Sequence, residues 1–171
     1  MRYAVCGLAL FAAACSGATP ASPTSPTSSV SQFEGGFAGT AAIRGSQLPF
    51  KGDLHAIEVA EGDLHHLTGT GNGTHLGRFG YAATITVDES TGDGAGTVAW
   101  TAANGDEVFA KTAGSIVDQS ESGITIQETQ TITGGTGRFN GASGAILLMR
   151  TLDFATGNTA GSYTGTLSLS D

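Results

Sequence analysis

Gly123-Ile124-Thr125-Ile126-Gln127-Glu128-Thr129-Gln130-Thr131-Ile132-Thr133 carries the side-chain period of this chain. Its even positions are Ile124, Ile126, Glu128, Gln130 and Ile132, and its odd positions after Gly123 are threonine or glutamine. Alternation at period two marks a strand with one face turned toward a core. Glu128 and Gln130 share the apolar face. A carboxylate placed there is costly unless it is paired or hydrogen-bonded.

The pattern recurs on both sides of this stretch. Residues 32–43, 54–60, 63–70, 74–87, 96–101, 106–117, 144–153 and 161–170 form further short alternating runs. Turn residues separate them: Glu61-Gly62-Asp63, Gly71-Asn72-Gly73, Gly92-Asp93-Gly94, Asn104-Gly105-Asp106 and Thr156-Gly157-Asn158. No long window has apolar residues at helical spacing. Glycine fills 27 of 171 positions and charged residues only 13%, a composition that disfavours helix. The glycines have no three-residue period, which excludes collagen, and the 39% hydrophobic content suffices for a core. The expected fold is all-β, an antiparallel barrel or sandwich over residues 33–171. About eight strands close a barrel wide enough for packed side chains or one small ligand. Small inward positions at Gly35, Gly39 and Ala41 hint at room inside.

Strand phase selects the candidate lumen residues. In residues 74–87 the odd positions are His75, Phe79, Tyr81, Ala83, Ile85 and Val87, so His75 is expected to point inward with Tyr81. Arg150 shares a phase with Ile146, Leu148 and Leu152. With Arg138 added as a candidate partner, the candidate lumen and ligand-binding set is His75, Tyr81, Glu128, Gln130, Arg138 and Arg150, with His75, Arg138 and Arg150 as the candidate partners for Glu128. Two readings follow. The set can be a polar ligand site, with Glu128 as acid or base, His75 as proton carrier and an arginine for an anionic group. It can equally be a buried network that fixes strand register and satisfies its own charges.

Other chemistries find little support. His65 and His66 are adjacent on a strand and face opposite ways, and no metal-ligand spacing accompanies them; no metal or cofactor is expected. There is no G-x-S-x-G and no cysteine in the expected barrel, so no nucleophile is evident. Seven basic against 15 acidic residues, net −8, disfavour nucleic acid. The repeated Gly77-Arg78-Phe79 and Gly137-Arg138-Phe139 read as two similar barrel corners, with a strained glycine and a core phenylalanine.

The N-terminus carries an address. Met1-Arg2-Tyr3 precedes an apolar run over residues 4–14, too short for a membrane span of roughly 20 residues but suited to a signal sequence. Ala12-Ala13-Ala14-Cys15-Ser16 resembles the lipobox of bacterial lipoproteins. That resemblance implies a signal peptide over residues 1–14, lipidation of Cys15 and a membrane partner through the lipid. It implies a lipid-anchored place in the cell envelope, at the outer membrane of a two-membrane host because Ser16 follows the cysteine. The alternative is a secreted protein cut later, for example after Ala18. Residues 15–32, rich in Ser, Thr and Pro, are expected to form a disordered tether.

A second resemblance concerns the fold. Gly69-Thr70-Gly71-Asn72-Gly73-Thr74-His75-Leu76-Gly77-Arg78-Phe79, Thr101-Ala102-Ala103-Asn104-Gly105-Asp106 and the run from Glu128 through Gly134-Gly135-Thr136-Gly137-Arg138-Phe139 to Gly144 resemble bacterial exported proteins with an allene oxide cyclase barrel-like domain. The last run also resembles a segment of plant dirigent proteins. The likeness covers roughly residues 50 to 171 and implies an eight-stranded antiparallel barrel. The plant proteins of this superfamily steer a reactive bound intermediate to one stereochemical product, but none of their catalytic residues is matched here, and fold does not imply function. Three functions are weighed: a tethered barrel that binds a small apolar or amphipathic ligand, a structural or protein-interaction module with a packed lumen, and an allene oxide cyclase-like isomerase. The oligomeric state is not legible.

Overall fold

The computed structural model describes residues 47–170, and these form one closed antiparallel barrel of eight strands. In chain order the strands are β1 (Gln47–Glu61), β2 (Leu64–Gly73), β3 (Gly77–Asp88), β4 (Asp93–Ala102), β5 (Glu107–Gln119), β6 (Gly123–Gly135), β7 (Ser143–Asp153) and β8 (Asn158–Ser168). Each strand pairs with the next, and β8 returns to β1, with Gln47 opposite Ser168 and Ile57 opposite Asn158. Closure leaves no open sheet edge for another chain to extend. Four tight turns lie at one end, after β1, β3, β5 and β7. The signal, the tether and the strand expected over residues 32–43, with Gly35, Gly39 and Ala41, lie outside the described residues.

β4 and β8 begin three residues earlier than expected, at Asp93 and Asn158, and two further boundaries differ for reasons the packing shows. The strand expected to begin at residue 54 begins at Gln47. Pro49 and Gly52 obscure it, because both read as breakers. The Pro49 carbonyl accepts a hydrogen bond from Thr74 Oγ1 at 2.8 Å, on the side where β1 has not yet met β2. The β1–β2 ladder starts only at the Gly52–Gly73 pair. A proline N–H missing on that side breaks no ladder bond. The second difference is Gly71-Asn72-Gly73, expected as a turn, which instead completes β2. The turn follows it, at residues 74–76.

These β2 glycines yield to aromatic rings. A Cβ on Gly71 would collide with the Phe79 ring and the Asp53 carbonyl, and one on Gly73 with the Tyr163 hydroxyl. Trp100 is fully buried in the half of the barrel those rings fill. Its centroid lies 4.8 Å from Tyr81 and from Tyr163, 5.0 Å from Phe79 and 6.2 Å from Phe50, in tilted or edge-on contacts. Such pairs add about 0.5–1.5 kcal/mol each beyond area burial. The two Gly-Arg-Phe corners match their reading: Gly77 and Gly137 have positive φ, and Phe79 and Phe139 are buried.

Gly71→Ala is therefore expected to destabilise the barrel by about 1–3 kcal/mol in urea denaturation, the usual cost of overfilling a packed core. Gly80→Ala, whose added methyl meets nothing closer than 3.9 Å, should stay within about 0.5 kcal/mol of the parent. Equal effects at the two positions would contradict this packing.

Candidate functional site

The polar interior begins where the aromatic half ends. Trp100 Nε1 on β4 donates to Gln130 Oε1 on β6 at 3.2 Å. Gln130 Nε2 donates to Tyr81 Oη on β3 and to Glu128 Oε2, both at 3.3 Å. Thr112 Oγ1 on β5 donates to the same Glu128 oxygen at 3.0 Å. The other Glu128 oxygen accepts from Arg150 Nε on β7 at 2.6 Å. Arg150 Nη1 then reaches Glu58 on β1 at 2.6 Å and Thr159 on β8 at 3.2 Å. Glu58 Oε1 closes the chain against His65 Nδ1 on β2, at 2.7 Å. One connected network thus touches all eight strands.

Burial sets its electrostatics. The side chains of Arg150, Glu128 and Glu58 are 4%, 3% and 5% exposed. Burial alone would push the Arg150 guanidinium down, but the charges of Glu128 and Glu58 outweigh it and hold it above its ordinary value. Burial, aided by the Glu128 charge, pushes the Tyr81 phenol above its ordinary range. Tyr81 thus remains a neutral phenol at any ordinary pH. In the aromatic half, the buried Tyr163 hydroxyl has no hydrogen-bond partner among the described residues.

Four of the six candidate residues meet here: Tyr81, Glu128, Gln130 and Arg150. His75 and Arg138 do not. His75 is exposed in the β2–β3 turn with φ of 63°, where the Leu76 N–H donates to the Thr74 carbonyl at 2.8 Å. The period-two pattern from Phe79 to Val87 does not extend back through that turn, so His75 leaves the lumen. Arg138 sits on a single 3₁₀ turn, Gly137–Phe139. It is 3.7 Å from Asp106 and lies over the Phe139 ring, outside the barrel, because the strand has already ended. Glu58, His65 and Thr112 belong to the network and were not singled out. Among the described residues no group of three or more His, Cys, Asp or Glu side chains could hold a metal ion; His66 faces outward, 3.3 Å from Thr84 Oγ1.

Above the network the barrel is open. A cavity of about 400 Å³ occupies the end that bears the four tight turns. Glu58, Thr112, Glu128 and Arg150 lie on its floor and His65 on its wall; Ile85, Val87, Ile124, Ile126, Leu152 and Phe154 make much of the rest. The volume falls within the range of small-molecule sites, which typically join apolar walls to a few fixed polar groups.

No protein-family model matches the chain, and no curated protein matches it. Among solved structures it is similar to the pterocarpan synthase dirigent protein GePTS1. The identity is 14% and the TM-score 0.53, over 76% of this chain and 88% of that one. The likeness is one of fold: the chain forms a dirigent-like eight-stranded barrel.

Removing the central cation should harm the barrel more than removing one carboxylate. Arg150→Leu strands Glu58 and Glu128 as buried charges and is expected to lose about 3–5 kcal/mol in urea denaturation. Glu128→Gln leaves the Arg150–Glu58 pair intact and should lose about 1–3 kcal/mol. The reverse order would show that charge balance does not hold the network together.

Proposed function

We propose that this protein is a lipid-anchored barrel of the bacterial cell envelope that binds a small amphipathic molecule in the mouth of its lumen. The cavity is the observation that carries the ligand: apolar walls suit a hydrocarbon body, and the polar floor suits one end group. The aromatic half is packed solid by Phe50, Phe79, Trp100 and Tyr163, so the ligand is short and enters from the turn end. Glu128 is a binding group in this reading. Its oxygens already accept from Arg150, Thr112 and Gln130, which leaves it poorly placed to move a proton. The isomerase alternative, in which Glu128 serves as acid or base, is disfavoured for that reason.

The anchor rests on Ala12-Ala13-Ala14-Cys15-Ser16 and on the Ser/Thr/Pro tract behind it. Acyl chains on Cys15 would contribute about 0.8 kcal/mol per buried CH₂. The tract would hold the barrel away from the bilayer surface, and Ser16 directs it to the outer membrane where the host has one.

Two measurements test this. Cys15→Ser should move the protein from the detergent phase to the aqueous phase in cloud-point partitioning; retention in the detergent phase would remove the anchor. Octan-1-ol titrated into the purified protein should release or absorb heat saturably, and Ala60→Trp, at the cavity rim, should abolish it without lowering Tm. No saturable heat with the parent protein would remove the ligand.

A further inference from the structure

The charges around the cavity are sorted by sign. All four turns at its mouth carry exposed carboxylates: Glu61 and Asp63 around the β1–β2 turn, Glu89 and Asp93 around the β3–β4 turn, Glu121 after β5 and Asp153 at the end of β7. The cations lie elsewhere. Among the described residues, Lys51 and Arg78 stand near the starts of β1 and β3 and Arg138 follows β6, all toward the opposite end, while Lys111 is exposed on the outward phase of β5 partway along the barrel wall. Arg150 is the cation at the cavity, and it is shared between Glu58 and Glu128. Its single charge is thereby neutralised, and one negative charge is left in excess on the floor when His65 is neutral.

We infer that this cavity selects positively charged amphiphiles: molecules with a short apolar body and a protonated amine. The inference rests on the proposal that the cavity binds a small amphipathic ligand, and it adds the charge of the end group. An ammonium entering the mouth passes between the carboxylates of four turns, where like-signed charge raises the local concentration of cations. On the floor, Glu58 keeps acceptor capacity beyond its bonds to Arg150 and His65, since an ionised carboxylate offers about four lone-pair sites. An anionic end group meets the reverse. It is repelled at the rim, and on the floor it must compete with two carboxylates for Arg150. The sequence expectation of an arginine free for an anion is thus not supported by the arrangement: Arg150 points into the lumen but is already claimed.

Octylamine, octan-1-ol and octanoate share one apolar body and differ in charge, so their titration against the intact protein separates the contributions. Octylamine should bind at least about tenfold more tightly than octanoate at low salt, with octan-1-ol between them. Molar salt should narrow the gap, because exposed charges are screened over a few ångströms there. The variant carrying Glu61→Gln, Glu89→Gln and Glu121→Gln together alters side chains on the rim and leaves the buried network untouched. It should bind octan-1-ol as the parent does and lose several-fold in its preference for the amine. Equal binding of all three compounds, or tighter binding of octanoate, would overturn the inference while leaving the cavity as a ligand site. Failure of all three to bind would remove the ligand site itself, and the inference with it.

Discussion

Arg150 is the point on which the interior turns. One guanidinium bridges carboxylates from β1 and β6, at 2.6 Å on each side, from its own place on β7. Two carboxylates left inside a barrel without it would face a desolvation penalty of several kcal/mol each. With it, every charge on the floor has a partner, and the alternating strands can keep polar groups inward without losing register. The hydrogen bonds that Thr112 and Gln130 donate to Glu128, and the one that Thr159 accepts from Arg150, occupy sites that would otherwise lie bare. The same arrangement draws the boundary between the packed half of the lumen and the open one.

That boundary explains why one barrel can be both core and vessel. Below the network, inward glycines on β1 and β2 surrender their space to Phe79 and Tyr163, and Trp100 seals the centre. Above it, the inward side chains are mid-sized aliphatics that line the wall without meeting across it. A dirigent-like fold accommodates this because its strands close the wall independently of what fills the interior. The turns at the open end can then vary in charge without disturbing the ladder, and here every one of them is acidic.

Much of the fold was legible in the sequence, since period-two alternation survives wherever a strand separates core from solvent. Glu128, Gln130, Arg150 and Tyr81 were legible for that reason: each sits in the same phase as several buried aliphatics. Glu58 was hidden by its neighbours. Ile57 and Val59 on the outward phase are 55% and 53% exposed, so residues 54–60 look apolar on both faces and the phase is ambiguous. The inward run Leu54, Ala56 and Glu58 is the signal that could have found it. His75 and Arg138 fail in the opposite way. Each lies just beyond a strand, where a turn resets the direction of the side chain and counting by two no longer applies. Gly71 and Gly73 misled for a third reason: glycine marks both turns and close approach, and only the rings of Phe79 and Tyr163 reveal which of the two operates.

The Arg150 guanidinium can be observed directly by nitrogen-edited NMR of the Nε–H group in the intact protein near neutral pH. A buried Nε–H bonded to Glu128 should give a resolved, downfield resonance that exchanges slowly with water. A signal at the position of a free arginine, lost to rapid exchange, would place the side chain in solvent and contradict the charged floor on which this account of the barrel rests.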